Sequence, residues 1–98
     1  MVQDLKKHIE GVLEIKAGKP LNSSGENSFI FYLLENVFER GYDSVASFFQ
    51  QNSFELAEDS AGDRSSSGKV IFTATKGEKS HTVILKCKRY SFTVTVIL

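Results

Sequence analysis

The sequence predicts an α+β fold, with three N-terminal helices packed on one face of a three- or four-stranded antiparallel C-terminal meander. Two observations lead to this prediction. Apolar residues recur at helical spacing through the first half of the chain, and β-branched and aromatic residues dominate the last thirty positions. Because 98 residues suffice for one small domain, we expect a single α+β domain over residues 1–98, with a helical part at 1–52 and a β part at 53–98.

The helical part divides into three predicted helices. An amphipathic stripe runs through residues 1–14, and a loop that contains the only proline follows it. Ser23 and Glu26 have the spacing of a capping box, which predicts a second helix that ends at Gly41 as a left-handed cap. Asp43 can cap a third, shorter helix. Two helices that meet at one glycine corner form a helical hairpin or a helix-turn-helix.

The β part begins with a weak, short strand at residues 54–57, followed by a polar stretch at 58–68 that we expect to be mobile. Gly77 and Glu78 then form a two-residue loop with glycine first, which favours a type II′ hairpin turn. This turn sets the register of the hairpin. The pairs that it places on one side of the sheet are Ala74 with His81, Phe72 with Val83 and Val70 with Leu85.

The apolar positions change parity near the C-terminus, from odd numbers before Lys88 to even numbers after Arg89. This change requires either a β-bulge in one strand of about seventeen residues or a reversal of the chain. Since strands usually have about five or six residues, we expect a reversal around Lys88 and Arg89. A two-residue loop, or a four-residue loop of the same register, would pair Cys87 with Tyr90, Leu85 with Phe92 and Val83 with Val94.

The other face of the predicted meander is half-polar, with threonines and three isoleucines. It is either a solvated surface built from β-forming residues or a docking surface, because three isoleucines outside the core exceed what solubility requires. Tyr32, on the polar face of the predicted second helix, is either an interface residue or a partly buried tyrosine with a solvated hydroxyl. The candidate interaction surface consists of Ile71, Thr73, Thr82, Ile84, Thr93, Thr95, Ile97 and Tyr32.

Charge is balanced overall but not along the chain. Twelve basic and twelve acidic residues give no net attraction to nucleic acid or anionic membranes. Between residues 69 and 98, however, only Glu78 is acidic. Lysines that protect strand ends and edges would explain this asymmetry, and the alternative is a positive patch for an acidic partner, either protein or nucleic acid. The candidate basic patch consists of Lys76, Lys79, Lys86, Lys88 and Arg89.

Residues with catalytic or metal-binding chemistry are few. Residues 62–69 lack the glycine spacing and the following helix of a phosphate-binding loop. His81 and Cys87 lie about 20 Å apart on one predicted strand, so they cannot share a metal ion or form a catalytic pair. We therefore expect no enzyme activity, no cofactor, no metal and no small-molecule substrate. Without a signal peptide or a long apolar run, the expected location is the cytoplasm, away from membranes.

Two functional hypotheses follow. The first is a small, non-enzymatic interaction or regulatory module of the inhibitor, immunity or adaptor type, which acts through its sheet surface or an edge strand. Residues 90–98 favour it, because they contain no charge, proline or glycine and would recruit another strand if exposed at an edge. The strand at 54–57, a second copy in a homodimer or a different protein would then cover that edge.

The alternative hypothesis is a winged-helix-like nucleic-acid-binding protein. Three helices followed by a hairpin with Lys76 and Lys79 at its turn fit that order of elements. The predicted recognition helix does not fit, because it exposes Ser47, Gln50 and Gln51 rather than arginine or lysine.

Overall fold

The computed structural model describes residues 1–18, 27–32, 38–60, 68–88 and 90–97, and the structural statements below concern these residues. The elements are α1 (Val2–Leu13), β1 (Ser28–Tyr32), α2 (Phe38–Gln51), β2 (Glu55–Ser60), β3 (Lys69–Lys76), β4 (Lys79–Lys88) and β5 (Ser91–Ile97). The strands form one antiparallel sheet in the order β1-β5-β4-β3-β2. This confirms the predicted α+β class and antiparallel meander. The described residues form two helices and five strands, so the predicted numbers of both were wrong.

Helix α1 forms where the sequence predicts it, because its apolar stripe is buried. Leu5 and Ile9 are fully buried in the core. The helix ends at Glu14, whose φ of 58° is left-handed. The guanidinium of Arg40 donates to the carbonyl oxygen of Val12 at 3.0 Å, which satisfies one of the last carbonyls of the helix. This contact also ties the end of α1 to α2.

The predicted second helix is wrong over residues 28–32, which form strand β1. Phe29 and Phe31 alternate into the core, whereas Ile30 and Tyr32 point to the opposite side of the sheet. A short apolar run is compatible with helical and strand spacing alike. Pairing with β5 decides in favour of the strand, because it satisfies backbone groups along both strands. The predicted capping box lies outside the described residues.

The last helix is longer than predicted, because it begins at Phe38 rather than at Asp43. Gly41 therefore lies inside α2 and is not a C-terminal cap. A Cβ atom on Gly41 would lie 2.7 Å from ring atoms of Phe92, so the glycine lets the helix approach the sheet closely. The glycine corner that a helix-turn-helix needs is absent from the described part of the chain.

The hairpin of β3 and β4 confirms the predicted turn and register. Gly77 has a φ of 61°, and Glu78 is not among the described residues with positive φ, as a type II′ turn requires. Lys76 and Lys79 pair across this two-residue loop. The observed pairs include Ala74 with His81, Phe72 with Val83 and Val70 with Leu85.

The chain also reverses after β4, as predicted, but the register differs by two residues. Lys88 pairs with Ser91, so Tyr90 lies in the loop and is 54% exposed rather than paired with a core residue. Arg89 lies outside the described residues. Because the shift is even, each apolar side chain of the strand keeps its side of the sheet, and alternation cannot distinguish the two registers. The observed pairs are Cys87 with Phe92, Leu85 with Val94 and Val83 with Val96.

Strand β5 is not an edge strand, which corrects the expectation that a second protein or the 54–57 strand must cover it. It lies between β4 and β1, so the chain covers this strand itself. The short strand predicted at 54–57 is present as β2, at the edge beside β3, with a bulge between Glu58 and Ser60. The polar stretch expected to be mobile is thus partly strand, and its middle lies outside the described residues. A bulged, acidic edge strand discourages pairing with another chain.

Helix α2 packs against one face of the sheet through aromatic side chains. Phe49 meets the rings of Phe54 and Phe72 edge-on, with centroids 5.4 and 6.1 Å apart. Such edge-to-face pairs stabilise a core beyond the area that they bury. The apolar inner residues of β3, β4 and β5 are almost completely buried beneath the helices. The other face of the sheet is the one that neither described helix covers.

Candidate interaction surface

The sheet has an open face, which we define as the outward-pointing residues of the five strands on the side opposite the helices. The pairing of the strands arranges its side chains in rows across the sheet. One row contains Ser28, Thr95, Ile84 and Ile71. The next contains Ile30, Thr93, Lys86 and Lys69. On the other side of the first row lie Ile97, Thr82, Thr73 and Ala57.

All eight residues of the predicted interaction surface lie on the open face. The seven residues predicted from the meander are there because both the β3–β4 register and the parity of β5 are as expected. Tyr32 joins them for a different reason, since it belongs to strand β1 and not to a helix. It pairs with Ser91 and is 57% exposed. The predicted second helix was therefore wrong, although the residue chosen on it does lie on this surface.

The centre of the open face, which we call the isoleucine centre, consists of Ile71, Ile84, Thr73, Thr82 and Thr95. Ile71 and Ile84 face each other across the strands and are half-buried by their neighbours. Neither belongs to the hydrophobic core or to the side chains packed against it. The hydroxyl of Ser28 donates to Thr95 Oγ1 at 3.0 Å, so this pair is satisfied within the sheet.

Sequence reasoning missed Ile30, because the predicted helix assigned it to the core. The structure places it on the open face beside Thr93. Its backbone N–H and carbonyl also form two hydrogen bonds with Gly18, of 3.0 and 2.8 Å, which occupy part of the outer edge of β1. The aromatic and β-branched residues around Ile30, which favour strands, are the signal that could have suggested this strand.

The predicted basic patch is not one patch, because alternation along β4 separates its members. Lys76 lies at the β3–β4 turn on the helix side, with its Nζ 5.7 Å from the centroid of the Phe54 ring. By alternation Lys79 is on that same side. Lys86 and Lys88 point to the open face at the opposite end of β4, about 20 to 30 Å away. Arg89 lies outside the described residues.

A different lysine completes the basic group on the open face. Lys69 pairs directly with Lys86, because the antiparallel register of β3 and β4 brings the beginning of one strand to the end of the other. All three side chains, Lys69, Lys86 and Lys88, are exposed. The predicted register, which pairs Val70 with Leu85, already implies this neighbouring pair, although the predicted basic patch did not include Lys69.

The two histidines and the cysteine are in packing contact with other described side chains. His8 Nε2 lies 3.2 Å from Ser47 Oγ, and its ring packs beside Phe48. Ser47 therefore joins the two helices, which corrects its predicted outward position. His81 packs against the ring of Phe54, and its Nδ1 is buried without a hydrogen-bond partner in the described structure.

Cys87 is buried on the inner face, and burial raises the pKa of its thiol above the ordinary value of 9.0. A thiol in that state is a poor nucleophile at neutral pH. Among the described residues, no three His, Cys, Asp or Glu side chains converge on a position where a metal ion could bind. Neither α1 nor α2, the two helices that the structure describes, is long and apolar enough to cross a membrane.

The winged-helix hypothesis requires three helices, of which the second and third meet at Gly41, and the described residues do not have this arrangement. The residues expected to form its second helix include strand β1, and Gly41 lies within α2. Gln50 and Gln51 are exposed near the end of α2, as expected, but no described helix precedes that helix at a glycine turn. A recognition helix set by a preceding helix is therefore not part of the described fold.

Comparisons with known proteins leave the function to be inferred from this geometry. The chain matches no protein-family model, no curated protein and no solved structure at a significant level of similarity.

Proposed function

We propose that the protein is a small, non-enzymatic interaction module that binds another protein through the isoleucine centre of its open face. The observation that carries this proposal is the position of Ile71 and Ile84. They lie side by side in the middle of a regular sheet, on the face that neither described helix covers. Ile97, next to Thr82 on the same face, is 52% exposed. Contiguous apolar side chains of this kind are typical of binding surfaces.

The size of the open face supports transient rather than permanent binding. Five strands spaced by about 4.8 Å, each contributing about six residues that rise about 3.3 Å, make a face of roughly 20 by 20 Å. Roughly 400 Å² per partner is about half of a standard-size interface. We therefore expect a regulatory contact of moderate affinity, such as an adaptor or an inhibitor makes.

Rigidity also favours this role. Strands β3, β4 and β5 are paired on both sides, so the isoleucine centre sits on backbone that is held by hydrogen bonds. A preorganised surface loses little conformational entropy when a partner binds. The edge strands are less suitable, because β2 is acidic and bulged and β1 is bridged by Gly18.

Site-specific photo-cross-linking tests the proposal. Benzoylphenylalanine is placed at Thr82 in the isoleucine centre, or at Gln50, which is exposed on α2 on the opposite side of the sheet, in the cells that make the protein. We expect a defined adduct from Thr82 and none from Gln50. An adduct of twice the protein's mass identifies a second copy as the partner, and another mass identifies a different protein.

A matched pair of substitutions provides the control. Ile97→Glu introduces a charge at the border of the isoleucine centre, whereas Val12→Glu does the same at an exposed apolar position of α1. The adduct from Thr82 is expected to disappear with Ile97→Glu and to persist with Val12→Glu. Equal adducts from Thr82 and Gln50, no adduct from either, or equal effects of the two substitutions contradict the proposal.

A further inference from the structure

Three lysines lie together at one end of the open face, because the register of β3 and β4 places the beginning of β3 beside the end of β4. Lys69 and Lys86 are directly opposite each other across β3 and β4. Lys88 lies two residues beyond Lys86 on the same side of β4. The cross-strand separation is about 5 Å and the separation along the strand about 7 Å at the backbone.

Repulsion between these ammonium groups lowers the stability of the folded protein. Like charges directly opposite each other across two strands are destabilising. The described side chains next to the lysines on this face are those of Ile71, Ile84, Thr93 and Ser91, and none of these is a carboxylate. The cluster also contrasts with the balanced charge of the whole chain, which contains equal numbers of acidic and basic residues. A ligand that carries several closely spaced negative charges would relieve the repulsion.

An aromatic side chain lies on the same face, two strands away from Lys88. Tyr32, Ser91 and Lys88 form one row across β1, β5 and β4 on the open face. Tyr32 is 57% exposed, and Ser91 lies between it and Lys88 in this row. Exposed aromatic rings next to lysines on a flat sheet are the combination that binds single-stranded nucleic acids, with bases on the rings and phosphates on the lysines.

We propose that Lys69, Lys86, Lys88 and Tyr32 form a binding site for single-stranded nucleic acid. A duplex fits less well, because no described helix protrudes from this face to enter a groove and the bases of a duplex are not available to stack on Tyr32. The site adjoins the isoleucine centre but uses different side chains, because it lies at the lysine end of the open face.

The number of lysines sets the expected salt dependence. Three neutralised phosphates give a slope of about −2 in a plot of log K against log salt concentration, because each phosphate contact on a single strand contributes about −0.7. Binding is therefore expected to weaken by about twenty-fold between about 50 mM and about 200 mM salt. Removal of one lysine lowers the slope by about 0.7.

Fluorescence anisotropy with labelled oligothymidine and oligouridine tests the site. Lys86→Gln is expected to weaken binding and to reduce the salt slope. Tyr32→Ala is expected to weaken binding by about five-fold to one hundred-fold at every salt concentration without changing the slope, because stacking does not release counterions. Lys79→Gln, a lysine of the same strand on the helix side, is the matched control and is expected to change neither quantity. Circular dichroism melting verifies that each variant folds.

Several outcomes would overturn the inference. These are no salt-dependent binding at about 50 mM salt, an equal loss with Lys79→Gln, or duplex bound as tightly as single strands. Poly-L-glutamate that binds as tightly as the oligonucleotides would assign the site to an acidic protein instead. Loss of the cross-link at Thr82 does not affect this test, so failure of the two proposals can be told apart.

Discussion

Gly41 of α2 lies against the ring of Phe92 in β5, so close that a Cβ atom would come within 2.7 Å of Cε2 and Cζ. A glycine in a helix interior costs about 1 kcal/mol relative to alanine. The fold accepts this cost because the contact brings the helix close to the strand that lies between β1 and β4. The absence of a side chain at Gly41 thus allows α2 to lie this close to β5.

Replacement of Gly41 by alanine is expected to destabilise the protein. The added methyl group collides with a fully buried ring, and overpacking of this kind costs about 1–3 kcal/mol, which exceeds the gain in helix propensity. Gly11→Ala is the control, since Gly11 lies in α1 with nothing within 4 Å of an added Cβ. Gly11→Ala is expected to stabilise the protein by about 0.5–1 kcal/mol. Urea denaturation measures both, and stabilisation by both substitutions would contradict the close approach.

His81→Phe is expected to increase stability. The buried Nδ1 of His81 has no hydrogen-bond partner in the described structure, and such an atom costs about 1–3 kcal/mol. Phenylalanine retains a ring against Phe54 and removes the polar atom. His8→Phe, which removes the contact with Ser47, is the comparison and is expected not to stabilise the protein. A lower urea midpoint for His81→Phe would show that a partner for the nitrogen exists.

The thiol of Cys87 is expected to link stability to alkaline pH. Burial raises its pKa in the folded state, so the folded chain binds a proton that the unfolded chain loses above its own pKa of about 9.0. The stabilising contribution is therefore complete below pH 9.0 and is lost as the pH rises towards the folded pKa. Cys87→Val lacks this thiol, so the urea midpoint of the parent protein is expected to fall relative to that of Cys87→Val above that pH. A constant difference would contradict the burial of the thiol.

Amide hydrogen exchange is expected to distinguish β5 from the edge strand β2. The amides of Thr93, Val94 and Thr95 belong to a strand paired on both sides, so we expect them to exchange only with global unfolding. Amides of β2 that point away from β3 have no strand beside them in the described structure and are expected to exchange faster. Equally rapid exchange in both strands would mean that β1 does not cover β5 in solution.

Much of the meander could be predicted from local pattern. The Gly77 turn, the pairing of Phe72 with Val83 and the reversal after Lys88 all depend on neighbours within a few residues, for which turn chemistry and alternation suffice. The same alternation placed Ile71, Ile84 and Ile97 on one face. The final register was wrong by two residues because both alternatives bury the same side of the strand.

The sequence by itself determined the α+β class, helix α1, the hairpin and which side chains of the C-terminal meander face away from the core, because each of these follows from short-range periodicity. Only the tertiary structure decided that the segment around Phe31 is a strand and that Gly41 lies inside a helix. The physical reason is that these outcomes depend on partners distant in the chain. The apolar run around Phe31 can form a helix or a strand, and the unpaired side of β5 determines which of the two forms.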